Sequence, residues 1–126
     1  MTLGYVDSSC IAAVAFAEPG HGRVARRLAR FERVYSSTLL EAEILSALRR
    51  EGVTEEPALL NSISWVLPDR RLTQEISAVL AAGHLRGADL WHVACALYLS
   101  PDPTELSFVT LDESQAVVAS AIGFPA

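Results

Sequence analysis

Along the chain, short apolar blocks alternate with stretches in which hydrophobic positions recur at helical spacing. The block LGYVD, Leu3 to Asp7, reads as a short buried strand that stops at an acid, and SSCIAAVAFA reads as an apolar helix ended by EPGHG. RVARRLARFE, starting at Arg23, is amphipathic; RVYSS predicts a second strand feeding directly into TLLEAEILSALRR, a helix stopped at Gly52. Thr54 to Trp65 and Thr73 to Ala82 both carry helical spacing, and VLPDRR between them has room for a short strand. GADLWHVACALYL is apolar almost all round, as a helix packed inside a domain is, and SPDPTE breaks it before the strand LSFVTL and a last helix from Asp112 to Ile122. Strand repeatedly hands over to helix, which predicts an α/β fold with a mainly parallel sheet and right-handed crossovers.

Composition narrows this picture. With 126 residues, 51% of them hydrophobic, the expectation is a single domain over residues 1–126 with a sizeable core. No basic region precedes an apolar run at the N-terminus and no stretch has the length of a membrane span, so the expected setting is cytoplasmic, with no membrane partner. Cys10 and Cys95 lie far apart in apolar helical patterns, which predicts buried thiols rather than a disulfide. The net charge of -5 argues against a protein coated in positive charge for duplex binding. All ten basic residues are arginine, so chemistry that depends on a lysine is excluded.

The candidate chemistry lies in the acids. In a parallel α/β sheet, strand C-termini and helix N-termini collect at one edge, which assigns Asp7 and Asp112 to that edge. Glu43, early in the helix after the second strand, and Asp89, opening the buried helix, can lean toward it. Carboxylates brought together raise one another's pKa and oppose folding unless a counter-charge is present. A hard divalent cation such as Mg2+ or Mn2+ answers that need, whereas His21, His84, His92 and the cysteines show no zinc spacing. Such an ion activates water and stabilises charge on a phosphoryl group, which points to phosphodiester hydrolysis. Each acid also has a purely structural reading. Asp112 is well placed to cap the last helix, with Gln115 as its capping-box partner, and Asp7 and Asp89 suit helix N-termini. Periodicity leaves Glu41 and Glu43 open, and sets Glu41 nearer the centre of the apolar arc formed by Leu39, Leu40, Ile44, Leu45 and Leu48.

Together, YVDSS, SSTLLEAEILSALRR, ADLWHVACAL and FVTLDESQA resemble the PIN domain, specifically the VapC-type toxins of bacterial toxin–antitoxin pairs, over essentially the whole chain and in the same order. The resemblance implies a three-layer α/β/α fold with a central, mainly parallel sheet and a metal-dependent endoribonuclease acting on RNA. It implies Asp7, Glu43, Asp89 and Asp112 as catalytic and metal-binding residues for Mg2+ or Mn2+, and so selects Glu43 over Glu41. It further implies pocket support from Ser9 and Thr110, a VapB-type protein antitoxin as partner, and a homodimer. Trp91, directly after Asp89-Leu90, is bulkier than the pattern expects.

Two other folds with acids at a sheet edge fit less well. A phosphoacceptor receiver domain needs a lysine, and a haloacid-dehalogenase-type phosphatase needs an aspartate where Ser9 stands. The rival from a different class is a PIN-like module that binds RNA or serves as a scaffold without turnover. Arg23, Arg26, Arg27 and Arg30 form one helical stripe, which is either a solvated face or a contact for RNA phosphates or an acidic partner. Ile11, Val14 and Phe16 either fill the core or line a groove for a partner helix.

Overall fold

The structure is a computed structural model that describes residues 2–126. Its centre is a sheet of four parallel strands, β1 (Leu3–Val6), β2 (Arg33–Ser37), β3 (Ile63–Val66) and β4 (Ser107–Val109), in the spatial order β3-β2-β1-β4. The helices are α1 (Ser8–Ala15), α2 (His21–Ala29), α3 (Thr38–Arg50), α4 (Thr73–Ala82), α5 (Gly87–Leu99) and α6 (Glu113–Ile122).

Side chains alternate across each strand, so every strand feeds both faces of the sheet. β1 sends Tyr5 to one face and Val6 to the other; β4 divides Phe108 and Val109 in the same way. The Tyr5 and Phe108 rings stack with centroids 5.4 Å apart, in a core completed by Val79 of α4, Val93 of α5 and Val118 of α6. Val6 and Val109 enter a second core with Ile11 of α1, Leu28 of α2 and Leu40, Ile44 and Leu48 of α3. Burial on both faces explains why these strands read as apolar blocks rather than as alternating patterns. The result is the α/β fold expected, with helices on both faces of a parallel sheet. Gly4 is the one residue type that fits its position in β1, because a Cβ there would lie 2.9 Å from the Phe31 ring.

Sequence periodicity misplaces one element. Thr54 to Trp65 does not form an α-helix: a short 3-10 helix occupies Ala58–Ser62 and β3 follows immediately, pairing Ile63 to Val66 with Val34 to Ser37. The strand therefore lies before VLPDRR and shares only Val66 with it. A short apolar run is ambiguous in period, and an available sheet edge settles it as strand. The helix expected from Arg23 instead spans His21–Ala29, starting after Gly20 in the left-handed region at φ 85°. Among the described residues, no helix is long and apolar enough to cross a membrane. Both cysteines are buried and free, and burial pushes each thiol up to about 12.

The strand order places the site. The chain leaves β1 for β2 on one side and returns last to β4 on the other, so strand order reverses at β1. In open parallel sheets, the crevice beyond the strand ends at such a reversal is where ligands bind.

Candidate active site

Asp7 is the first residue past β1, and Asp112 stands three residues past β4 as the N-cap of α6. Asp7 is buried, at 1% exposure, directly over the crevice. Its Oδ1 accepts from Ser9 Oγ at 2.6 Å, and its Oδ2 accepts from Thr110 Oγ1 and from Gln115 Nε2, both at 2.8 Å. Ser9 Oγ also accepts from the Leu111 amide at 2.9 Å, which ties the loop after β4 to the start of α1. Ser9 and Thr110 thus hold Asp7 in place, while the Asp112 amide donates to Thr110 Oγ1 at 2.9 Å.

The other acids come from separate elements. Asp89 lies in the first turn of α5, and Glu43 projects from α3. Asp7, Glu43, Asp89 and Asp112 all line one open cavity of about 220 Å³, together with Ser9 and Gln115. Glu41 is exposed and does not line it, so the periodicity that put Glu41 nearer the buried arc is corrected. The buried line of α3 runs through Leu40, Ile44 and Leu48, and Glu43 is three residues from the first and next to the second. Including Leu39 and Leu45, both only half-buried, displaced the inferred centre toward Glu41.

Electrostatics in the cavity are unfavourable without a cation. Burial, then the nearby charges of Asp112 and Asp7, raise the Asp89 carboxyl above its ordinary range. Burial also raises Asp7, against the hydrogen bonds from Ser9 and Thr110 that favour its charged form.

Two side chains that the sequence reading left outside the site complete it. Asp112 caps α6 as expected, accepting from the Gln115 amide at 3.2 Å, but the reciprocal half of a capping box is missing. Instead the Gln115 side chain turns into the crevice, where its Nε2 bridges Asp7 Oδ2 at 2.8 Å and Asp89 Oδ1 at 3.0 Å. Gln115 Oε1 is buried with no partner among the described residues. His92, set aside for lack of zinc spacing, is buried on α5 and contacts Glu43 Oε1 through Nε2 at 3.0 Å. One signal was available in the sequence: Asp89 and His92, like Asp112 and Gln115, are three residues apart on a helix and share a face.

Among the described residues, no three Asp, Glu, His or Cys side chains are disposed to hold a metal ion as they stand. The donor set nevertheless fits a hard divalent cation, since the cavity offers carboxylate oxygens from four elements, and Gln115, which lines it too, keeps a buried Oε1 without a partner among the described residues.

The PIN domain profile matches residues 4–121. The chain belongs to the PIN domain family. PIN domains are typically nucleases, mostly metal-dependent ribonucleases, and the four-stranded parallel sheet flanked by helices is consistent with the PIN fold. Comparison with curated proteins and with solved structures returns no match. The PIN match begins at Gly4 and ends at Ala121, so it takes in β1 from its second residue, all four acids, Gln115 and His92.

The remaining expectations fall outside the crevice. Trp91 does not line the acid cavity and packs instead against the core under α4, α5 and α6. Arg23, Arg26 and Arg30 are exposed and Arg27 is half-buried, and among the described residues none of the four is in an ion pair. Ile11 and Val14 border an apolar groove of about 770 Å³ with Leu28, Phe31 and Leu59, while Phe16 lies outside it.

Proposed function

We propose that this PIN domain is a Mg2+- or Mn2+-dependent endoribonuclease, the toxin component of a toxin–antitoxin pair. The observation that carries the reading is the lining of one cavity at the β1/β4 strand reversal by Asp7, Glu43, Asp89 and Asp112. In this reading the four acids hold the ion, with Asp7 fixed by Ser9, Thr110 and Gln115 and Asp112 fixed by its capping bond. A divalent cation bound there lowers the pKa of a water and offsets charge on the phosphodiester. The carboxylates orient that water, and the openness of the cavity admits a flexible single strand or loop of RNA.

The antitoxin would be a small VapB-type protein. The apolar groove beside α2 supports a helical partner segment, and the unpaired arginines of α2 support an acidic flank on it or a run of RNA phosphates. The homodimer remains part of the proposal and is read by light scattering.

One observation favours a non-catalytic RNA-binding or scaffold module: the Gln115 amide already spans Asp7 and Asp89. Incubating the purified protein with single-stranded RNA separates the two readings. Cleavage in Mn2+ that stops in EDTA supports the nuclease, whereas binding without cleavage in either condition supports the module.

A further inference from the structure

Behind Glu43, on the side away from the cavity, runs a buried chain of hydrogen bonds. The Ser37 backbone amide donates to Tyr5 Oη at 3.2 Å, Tyr5 Oη lies 2.9 Å from His92 Nδ1, and His92 Nε2 lies 3.0 Å from Glu43 Oε1. Tyr5 is 0% and His92 1% exposed, so solvent does not complete either side chain's hydrogen bonds. The members come from β1, the end of β2, α5 and α3, which makes the chain a cross-brace between both layers of helices and the sheet.

The direction of the bonds follows from counting protons. Among the described residues, Tyr5 Oη is hydrogen-bonded to the Ser37 amide and to His92 Nδ1; the amide can only donate, which leaves Nδ1 to take the phenol's hydrogen. Burial raises the phenol above its ordinary range, so it keeps that hydrogen. Nδ1 is therefore the acceptor, and Nε2 carries the hydrogen that points at Glu43. The opposite tautomer would aim two hydrogens at one another at Tyr5 and a lone pair at a carboxylate, both costly in a buried site.

We propose that Tyr5 and His92 are positioning residues: the phenol orients the His92 ring, whose Nε2 hydrogen holds the Glu43 carboxylate toward the cavity. Glu43 needs such a holder more than Asp7 does. Asp7 has three side-chain donors of its own, whereas His92 is the side chain that anchors Glu43. Partners behind a metal-binding carboxylate set its orientation and basicity, and losing one lowers metal affinity or activity about 10- to 100-fold. The proposal rests on the metal-nuclease reading of the cavity.

The test uses the full chain with Mn2+ as probe. Tyr5→Phe and His92→Leu are each expected to weaken Mn2+ binding about tenfold by calorimetry and to lower kcat on RNA without changing KM. His92→Gln, whose amide can donate to Glu43, is expected to recover part of the loss. In a Glu43→Ala background, His92→Leu should have no further effect on Mn2+ affinity, because the group it positions is gone. Nitrogen NMR of the wild type should show hydrogen on His92 Nε2, with Nδ1 as the acceptor from Tyr5. An Nδ1-protonated ring, or an equal loss from His92→Leu with and without Glu43, overturns the proposal. Wild-type protein that binds no Mn2+ and cleaves no RNA overturns the nuclease reading itself, and the positioning role with it. Wild-type protein that does both, beside His92→Leu protein that binds and cleaves equally well, overturns the positioning role alone. If His92→Leu fails to fold, Tyr5→Phe, which keeps the ring and its stacking on Phe108, carries the same comparison.

Discussion

The acid crevice and the arginine face of α2 are both concentrations of like charge, yet they differ in what holding them costs. The crevice gathers carboxylates from four elements into a partly buried space, and Asp89 and Asp7 register that cost as raised pKa values. Arg23, Arg26 and Arg27 lie on α2 and Arg30 is its C-cap; three of the four are exposed, where water and salt screen them. A cluster that opposes folding calls for a ligand to justify it, whereas a solvated stripe does not. The crevice is therefore the stronger indicator of function, although the stripe is far easier to see in the sequence.

The largest effect that would break this contrast is on cleavage. Asp112→Asn keeps an oxygen to cap α6 while removing a charged metal-binding oxygen, so it should lose more than about 100-fold in kcat/KM with Tm nearly unchanged. Glu43→Gln should do likewise and Glu41→Gln should not. Equal rates for the two glutamate variants would remove Glu43 from the site.

The next effect is on stability. At about 100 times its Kd, Mn2+ should stabilise the wild type by about 2.7 kcal/mol, read as a rise in Tm. Asp89→Asn should reverse the order: its Tm should exceed that of the wild type in EDTA, where repulsion is relieved, and fall below it in Mn2+, where a ligand is missing. The same order in both conditions would mean that Asp89 does not share in the crevice charge.

A smaller effect follows from pH. Asp89 and Asp7 have folded-state pKa values above their ordinary value of 3.8, so the folded state holds protons that the unfolded state has released. Their contribution to stability is thus greatest at low pH, declines as pH rises above 3.8 through the raised values, and stays unfavourable beyond them. In EDTA, the stability of the wild type relative to Asp89→Asn should fall over that window, and Mn2+ should abolish the fall. A difference that rises with pH would contradict the sign of the shift.

The smallest effect belongs to α2. Arg26→Ala with Arg30→Ala should change stability by less than about 0.5 kcal/mol, since both side chains are exposed. If both contact phosphates, the slope of log affinity against log salt for single-stranded RNA should flatten by about 1.4. An unchanged slope returns the stripe to solvent.

Much of this protein was decided locally and could be read from the chain. Apolar blocks ending at acids marked β1 and β4, helical spacing marked α3 and α5, and the alternation of the two forecast a parallel sheet with acids at one edge. Asp112 as a cap was legible for the same reason, because a capping bond joins neighbours three residues apart. What tertiary structure alone decided were the choices between local alternatives of similar energy. Ile63 to Val66 became a strand because β2 offered an edge to pair with, not because its own period excluded a helix. The Gln115 side chain left its capping role because two carboxylates distant in sequence, Asp7 and Asp89, offered its amide charged acceptors. His92 found Glu43 and Tyr5 across separations of 49 and 87 residues, which no periodicity spans. Local order arises from backbone geometry repeated over a few residues and leaves a pattern in the chain. The polar contacts that build the crevice arise from which buried donor meets which buried acceptor, and that is known only once the sheet has brought the elements together.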